Sequence, residues 1–310
     1  METIKRLRGF FFSPLIARLN RFDSSLSEVK QQLEFLQQGM GRIENRQLSA
    51  SHSCRLEDHE FRVFSQGGED GIIQFLLRHV LVESRTFVEF GVENYRESNT
   101  RFLLENNKWR GLIIDRDSDN IDQVKKSHLS WKHDLTAVSA FITRDNINEL
   151  IRLNGFTGEI GLLSIDLDGN DYWVWKAIDV ISPVIVIVEY NYRFGRELAV
   201  TIPYDEAFER AGAHSSKIYF GASLRALELL AKQKGYVFVG CGSDGVNAFF
   251  VRADKLPPKI KALTVAEGYV QGHVSETFDN QGRFECPSQE DSMRLLLSLP
   301  LVHVENHSND

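Results

Sequence analysis

Carboxylates stand where strand-like runs of apolar residues end, and at these positions side chains could do chemistry. Residues 86–91 (TFVEFG) and 161–166 (GLLSID) are two such runs, and they carry Glu89 and Asp166. In an open α/β sheet, ligands bind outside the carboxyl ends of the strands, so acids there matter more than acids elsewhere. Both segments therefore predict strands that bring a carboxylate to a ligand.

The first run and the next predicted strand form a candidate cofactor site. Glu89 and Gly91 belong to the first strand, and Asp115 ends the second, about two dozen residues after Gly91. An acid at this second position can accept both ribose hydroxyls of a nucleotide cofactor. Only the first glycine of a G-x-G-x-x-G fingerprint is present, which disfavours NAD and FAD because a pyrophosphate would lack its glycine cradle. S-adenosylmethionine carries no phosphate and fits the remaining pattern.

Two later strand ends form a candidate site for acceptor chemistry. If the two strands are neighbours, Asp166 or Asp168 converges with Glu189 and Asn191. Carboxylates in one cleft repel each other, so a cation, a shared proton or a polar substrate must compensate them. Mg²⁺ held by Asp168, Glu189 and Asn191 would have the hard oxygen ligands that it prefers, and it could lower the pKa of a substrate hydroxyl. Without a metal, Asp166 or Asp168 would be the general base, with His214 as the rival.

Strand-like and helix-like patterns alternate from residue 61 onward, as in a doubly wound, mostly parallel sheet. The sequence therefore predicts an α/β domain over 61–256 with a Rossmann-like sheet. Within it, residues 191–220 form a connection too long for a simple αβ loop, and we expect them to be a lid. Residues 257–310 are assigned to a C-terminal extension with a helix near 289–297.

Apolar residues that alternate in steps of three and four predict a coiled-coil helix over 19–45. This heptad seam consists of Leu19, Phe22, Leu26, Val29, Leu33, Leu36, Met40 and Ile43. It indicates a homo-oligomer, and the alternative is one amphipathic helix packed on its own domain. The segment before it, 1–18, is basic and apolar, and residues 1–21 could contact an anionic membrane or be a solvated terminus. Residues 46–60 are polar and are predicted to be a linker.

Composition narrows the class of protein. The chain has 310 residues, 42% of them hydrophobic, which is enough for a substantial core, and a net charge of −7. Because the charge beyond the basic start is acidic, a nucleic-acid partner is disfavoured. Three cysteines without C-x-x-C spacing suggest neither a disulfide framework nor a cysteine zinc site. No apolar run approaches the ~20 residues needed to span a bilayer, so we expect a cytoplasmic protein, with possible membrane association through its start.

An ordered series of motifs resembles the FkbM-like branch of the class I S-adenosylmethionine-dependent methyltransferases. The motifs are FSQGGEDG at 64–71, FVEFG at 87–91 followed by ESNT at 97–100, and SIDLDGNDY at 164–172. The resemblance implies a seven-stranded sheet whose last strand is antiparallel. It also implies that Glu89, Gly91 and Asp115 meet the cofactor.

The same resemblance assigns further residues around the cofactor. It implies that Gln66 closes over the methionine end and that Asn99 begins the helix facing it. Glu93 stands where many class I enzymes have glycine, and it could instead contact the ammonium group of the cofactor. Asp134 falls where such enzymes often place an adenine contact.

These patterns together predict an S-adenosylmethionine-dependent O-methyltransferase. Its acceptor, a hydroxyl of a sugar in a glycan or of a glycosylated metabolite, is implied by the resemblance alone. The alternative is a non-catalytic, membrane-proximal, oligomeric interaction protein with a degenerate methyltransferase domain. A nucleotide-sugar enzyme that uses NAD is a third hypothesis, and the missing glycines count against it.

Overall fold

A seven-stranded sheet forms the centre of the protein. The computed structural model describes residues 2–272, 277–278, 282–285 and 287–305, with side chains from residue 17 onward. The strands are β1 (Thr86–Phe90), β2 (Arg110–Asp115), β3 (Leu135–Ser139), β4 (Gly158–Ile165), β5 (Ile181–Glu189), β6 (Tyr236–Cys241) and β7 (Asn247–Arg252). They lie in the order β3-β2-β1-β4-β5-β7-β6, and β7 alone runs antiparallel to its neighbours. The predicted Rossmann-like, mostly parallel sheet is therefore confirmed.

Helices cover both faces of the sheet. They are α1 (Glu2–Leu48), α2 (Glu69–His79), α3 (Arg101–Glu105), α4 (Ser118–Lys126), α5 (His128–Lys132), α6 (Ile147–Leu153), α7 (Asp171–Ala177), α8 (Arg210–Ala213), α9 (Leu224–Gln233), α10 (Val265–Gly268) and α11 (Gln289–Leu297). Apolar cores lie on both sides of the sheet, with Phe90 and Trp175 in one and Phe87 and Phe249 in the other. The middle strands β4 and β5 are almost continuously apolar because both of their faces are buried.

The sequence marks a third strand only weakly, near residue 130, and the structure places this strand later in the chain. Ser127 accepts a hydrogen bond from the Leu129 N–H and caps the short helix α5, so residues 128–132 are helical. Strand β3 then begins at Leu135. This shift decides which residues reach the carboxyl edge of the sheet beside β2.

The predicted lid and the C-terminal extension pack against each other. Residues 191–220 contain a short strand, Val200–Thr201, which pairs antiparallel with Val302–His303 from the end of the chain. The predicted helix near 289–297 is α11. The predicted lid therefore has regular structure of its own and is tied to the C-terminal extension.

Helix α1 is continuous through the predicted coiled-coil segment and extends to Leu48, inside the predicted linker. The eight seam residues are all exposed in the single chain. Among the helices that the structure describes, none is both long enough and apolar enough to cross a membrane. The side chains of residues 1–16, on which the predicted membrane contact largely rests, lie outside the described residues.

Candidate active site

A large cleft opens at the carboxyl ends of the parallel strands. Its volume is about 660 Å³, which is within the range of small-molecule sites. It lies where β1 and β4 are neighbours and the strand order changes direction, the usual ligand position in such sheets. The ends of β1, β2 and β3 line one half, which we call the first half, and the ends of β4, β5 and β7 with the lid line the other, the second half.

Gly91 joins the two halves of the cleft. Its φ of 71° is in the left-handed region, which favours glycine. A Cβ at this position would stand 1.7 Å from the backbone oxygen of Asp166, closer than any side chain could tolerate. Glycine is therefore required here because the turn after β1 touches the end of β4.

Glu89 borders the first half, but its carboxylate is engaged within the protein. It accepts hydrogen bonds from the Ser98 hydroxyl (2.6 Å), the Asn99 N–H (2.8 Å) and the Thr100 hydroxyl. Burial raises the pKa of Glu89, and these donors oppose that shift. Glu89 thus fixes the turn 98–100, and Asn99 lines the cleft with its amide donating to the Ser164 hydroxyl (3.1 Å).

Asp115 ends β2 at the rim of the first half. One carboxylate oxygen accepts from the Glu93 N–H (2.7 Å) and the other from the Asp117 N–H (2.8 Å). Each oxygen has a further lone pair for a ligand. Asp115 therefore shapes the loop after β1 and could accept hydrogen bonds from a ligand there.

Glu93 takes the backbone conformation that a glycine would take without strain. Its φ is 46°, and its side chain is exposed at the edge of the cleft. The loop thus keeps a glycine-like path despite the glutamate, at a cost of roughly 1–2 kcal/mol for the left-handed conformation.

We expect Glu93→Gly to raise the free energy of unfolding by up to about 1 kcal/mol, because relief of strain exceeds the added entropy of the unfolded chain. Urea denaturation of the two proteins would measure the difference. A loss of stability would show instead that the Glu93 side chain makes a stabilising contact.

Carboxylates dominate the first half. Its lining includes Glu89, Glu93, Glu97, Asp115 and Asp117. The cation beside them, Arg116, forms an ion pair with Glu209 of the lid across the cleft (2.7 Å). This half is therefore suited to a cationic ligand and unfavourable for a pyrophosphate.

Three predicted site residues do not line the cleft: Asp134, His214 and Asn191. Asp134 precedes β3, so it lies at the opposite edge of the sheet, 3.8 Å from Arg110. The residues that follow β3 and do reach the cleft are Ala140, Phe141 and Ile142. His214 does not line the cleft either, and its Nδ1 accepts from the Ser216 N–H (3.1 Å). Gln66, in contrast, is among the residues that line the cleft.

Three carboxylates meet in the second half. Asp166, Asp168 and Glu189 each offer an oxygen within 4.8 Å of the others. Burial raises the pKa of both Asp166 and Glu189 well above the ordinary values, and neighbouring acids raise it further. Two such groups side by side repel each other when both are ionised, so they titrate as a pair.

Arg210 supplies positive charge to this cluster, and no sequence pattern predicted it there. Its guanidinium forms an ion pair with Asp168, lies 3.9 Å from the centre of the Phe220 ring, and donates through Nε to the Lys217 carbonyl (2.9 Å). No local pattern marks it, because helix α8 belongs to a lid whose path the sequence did not reveal.

The predicted metal set of Asp168, Glu189 and Asn191 is not brought together. The Asn191 amide donates to the carbonyls of Ile218 (2.8 Å) and Phe220 (3.1 Å) and is buried. Asp166 takes its place in the cluster, whose oxygens are of the type that Mg²⁺ prefers. Arg210, however, already compensates Asp168, so a metal would have to displace an arginine.

A further acid, Asp171, holds the loop that carries Asp168. It accepts from the N–H groups of Leu167 (2.7 Å) and Gly169 (3.0 Å), which fixes Asp168 at a φ of 53°. Burial raises the pKa of Asp171 to about 6, and the backbone donors oppose the shift. Asp171 is the first residue of α7, and an acid at the start of a helix indicates, from the sequence alone, a carboxylate that accepts from nearby backbone N–H groups.

Comparison with known proteins finds some likeness to solved structures and none in sequence. No family model matches the chain, and no curated protein matches it in sequence. Solved structures with some likeness include an S-adenosylmethionine-dependent methyltransferase from Clostridium acetobutylicum ATCC 824 (12% identity, TM-score 0.37, covering 59% of this chain and 89% of that one). Another is the O-methyltransferase from Bacillus cereus in complex with SAH (13% identity, TM-score 0.36, 69% and 88%). At these TM-scores the likenesses carry no argument, and the fold class rests on the order of the strands.

Proposed function

We propose that this protein is an S-adenosylmethionine-dependent O-methyltransferase acting on a hydroxyl of a sugar, in a glycan or a glycosylated metabolite. The proposal rests on one cleft whose two halves both contain acids but differ in how those acids are held. The first half is negatively charged and held by backbone donors, and the second contains the carboxylate pair Asp166 and Glu189 with raised pKa.

The first half would hold the cofactor. A sulfonium and an ammonium group are attracted by the surrounding carboxylates, whereas a dinucleotide would be repelled. Asp115 would accept the ribose hydroxyls, and the turn fixed by Glu89 would face the methionine end together with Gln66. Phe141 and Ile142, rather than Asp134, would lie beside adenine.

The second half would activate the acceptor. As the hydroxyl oxygen attacks the methyl carbon, the carbon–sulfur bond breaks, the thioether leaves and the hydroxyl proton passes to the Asp166–Glu189 pair. A raised pKa makes these carboxylates better bases than ordinary acids. The ion pair of Asp168 with Arg210 would fix the position of the pair, and holding both reactants in line would supply much of the rate.

A sugar suits the lining of the second half. Tyr192 and Phe208 line this half, are only partly buried, and offer aromatic surface for a sugar face. The Oδ1 of Asn170 is buried without a hydrogen-bond partner, so an acceptor hydroxyl would satisfy it. The resemblance to FkbM-like enzymes supports the same class of acceptor.

Mass spectrometry of cell-surface glycans and glycosylated metabolites tests this proposal. We expect an O-methylated sugar to disappear when the gene is deleted, to return with the wild-type gene, and to stay absent with Asp166→Asn. An unchanged set of O-methylated sugars after deletion would refute the acceptor class.

A further inference from the structure

The heptad seam on α1 faces away from the protein's own domain. Its eight residues are between 43% and 66% exposed, and together they form a narrow row along about seven turns of helix. Isolated apolar side chains on a surface are common, but a continuous row of this length is not. The single chain therefore leaves its most regular apolar surface uncovered.

A different face of α1 makes the contact with the domain. Gln38 donates to the Glu105 carboxylate (2.8 Å), and Glu34 forms an ion pair with Arg101 (3.0 Å). Gly41 is buried, and a Cβ there would lie 2.3 Å from Val63. Because polar residues and a glycine form this face, burial of the seam on the same domain does not explain the heptad pattern. The structure thus disfavours the alternative of an amphipathic helix packed on its own domain.

We infer that a second copy of this chain covers the heptad seam, so that the two α1 helices form a coiled coil. The alternating steps of three and four place all eight residues at the a and d positions that pack between helices. Each copy can keep its domain on the outer face through Glu34, Gln38 and Gly41, because that face lies away from the seam. The inference does not depend on the proposed enzymatic function.

Charge favours a protein partner over an anionic membrane. Residues 19–46 contain four basic and four acidic side chains, so their net charge is zero. Amphipathic helices that bind acidic lipid carry an excess of Lys and Arg on the polar face. The seam is also a two-position stripe, narrower than the apolar face of a lipid-bound helix.

Sedimentation equilibrium of the full chain tests the inference. We expect the wild type to have at least twice the 35.4 kDa mass of one chain. The double variant Leu26→Asp/Leu33→Asp should sediment as a single chain because it places charges at two a positions. Phe35→Asp is the matched control: Phe35 is 69% exposed, more than either leucine, but it lies off the seam. This variant should associate like the wild type.

A milder variant distinguishes loss of association from loss of folding. Leu26→Ala keeps a strong helix former, so helix content by circular dichroism should stay constant while the dissociation constant rises about 10- to 100-fold. A wild type that sediments at the mass of one chain would overturn the inference. So would equal loss of association in Phe35→Asp and the double variant. Binding of a monomeric wild type to phosphatidylserine vesicles, abolished in the double variant, would show that lipid covers the seam instead.

Discussion

Asp166→Asn is expected to lower the rate of methyl transfer by about 100- to 1000-fold, the usual contribution of a positioned general base. Asparagine keeps the shape of the side chain but cannot take the hydroxyl proton. Transfer of a labelled methyl group from S-adenosylmethionine to a glycan extract of cells lacking the gene would measure the rate. Cofactor affinity should change little, because Asp166 lies in the half of the cleft assigned to the acceptor.

Glu159→Gln provides the matched control. Glu159 is on the same strand β4, near its start at the other edge of the sheet, and its carboxylate pairs with Arg252 (2.6 Å). This variant should transfer methyl groups at the wild-type rate. If Asp166→Asn retained full activity, the general base would have to be another group and the assigned roles of the second half would be wrong.

The pH dependence of the same reaction follows from the raised pKa values. The rate should rise with pH as the Asp166–Glu189 pair is deprotonated and becomes competent as a base. Stability should move in the opposite direction. The folded pKa values lie above the ordinary 3.8 and 4.5, so the folded state binds the proton more tightly. The contribution of the pair to stability is therefore lost as the pH rises from those ordinary values through the folded ones. At neutral pH, Asp166→Asn should raise the free energy of unfolding by about 1 kcal/mol and flatten this decline.

Asp115→Ala is expected to raise the dissociation constant for S-adenosylmethionine about 10- to 100-fold. The substitution removes charged acceptors for the ribose hydroxyls and also the bond that holds the Glu93 N–H. Calorimetric titration would measure the change. Asp134→Ala is the control, because that residue lies at the opposite edge of the sheet beside Arg110. Equal losses of affinity in both variants would mean that the cofactor does not bind at the end of β2.

Apart from the position of β3, the sequence was sufficient to predict the strands of the sheet and the acids at their ends. Apolar runs and helical periodicity depend on local spacing, and Glu89, Asp115, Asp166 and Glu189 lie at the cleft because strand ends are fixed by these runs. The position of Asp134 was not predictable in this way, because α5 delays β3 and brings residues 140–142 to the cleft instead.

Other features depend on contacts distant in sequence. Asn191 follows the end of β5 by two residues, as the sequence predicted. Its amide, however, donates to the carbonyls of Ile218 and Phe220 and is not directed to the acid cluster. Arg210 joins the acid cluster only because the lid folds back over the sheet. The direction of the heptad seam on α1 likewise required the contacts of Gly41 and Gln38 with the domain.

Calorimetric titration of the wild-type chain with S-adenosylmethionine tests whether the cleft binds this cofactor. We expect saturable binding at one site per chain, competition by S-adenosylhomocysteine and no binding of NAD. Absence of saturable binding of either sulfur compound would contradict cofactor binding in this cleft. Binding of NAD instead would contradict the inference that the acidic first half is unfavourable for a pyrophosphate. In the first case the non-catalytic interaction protein would become the better account of this chain.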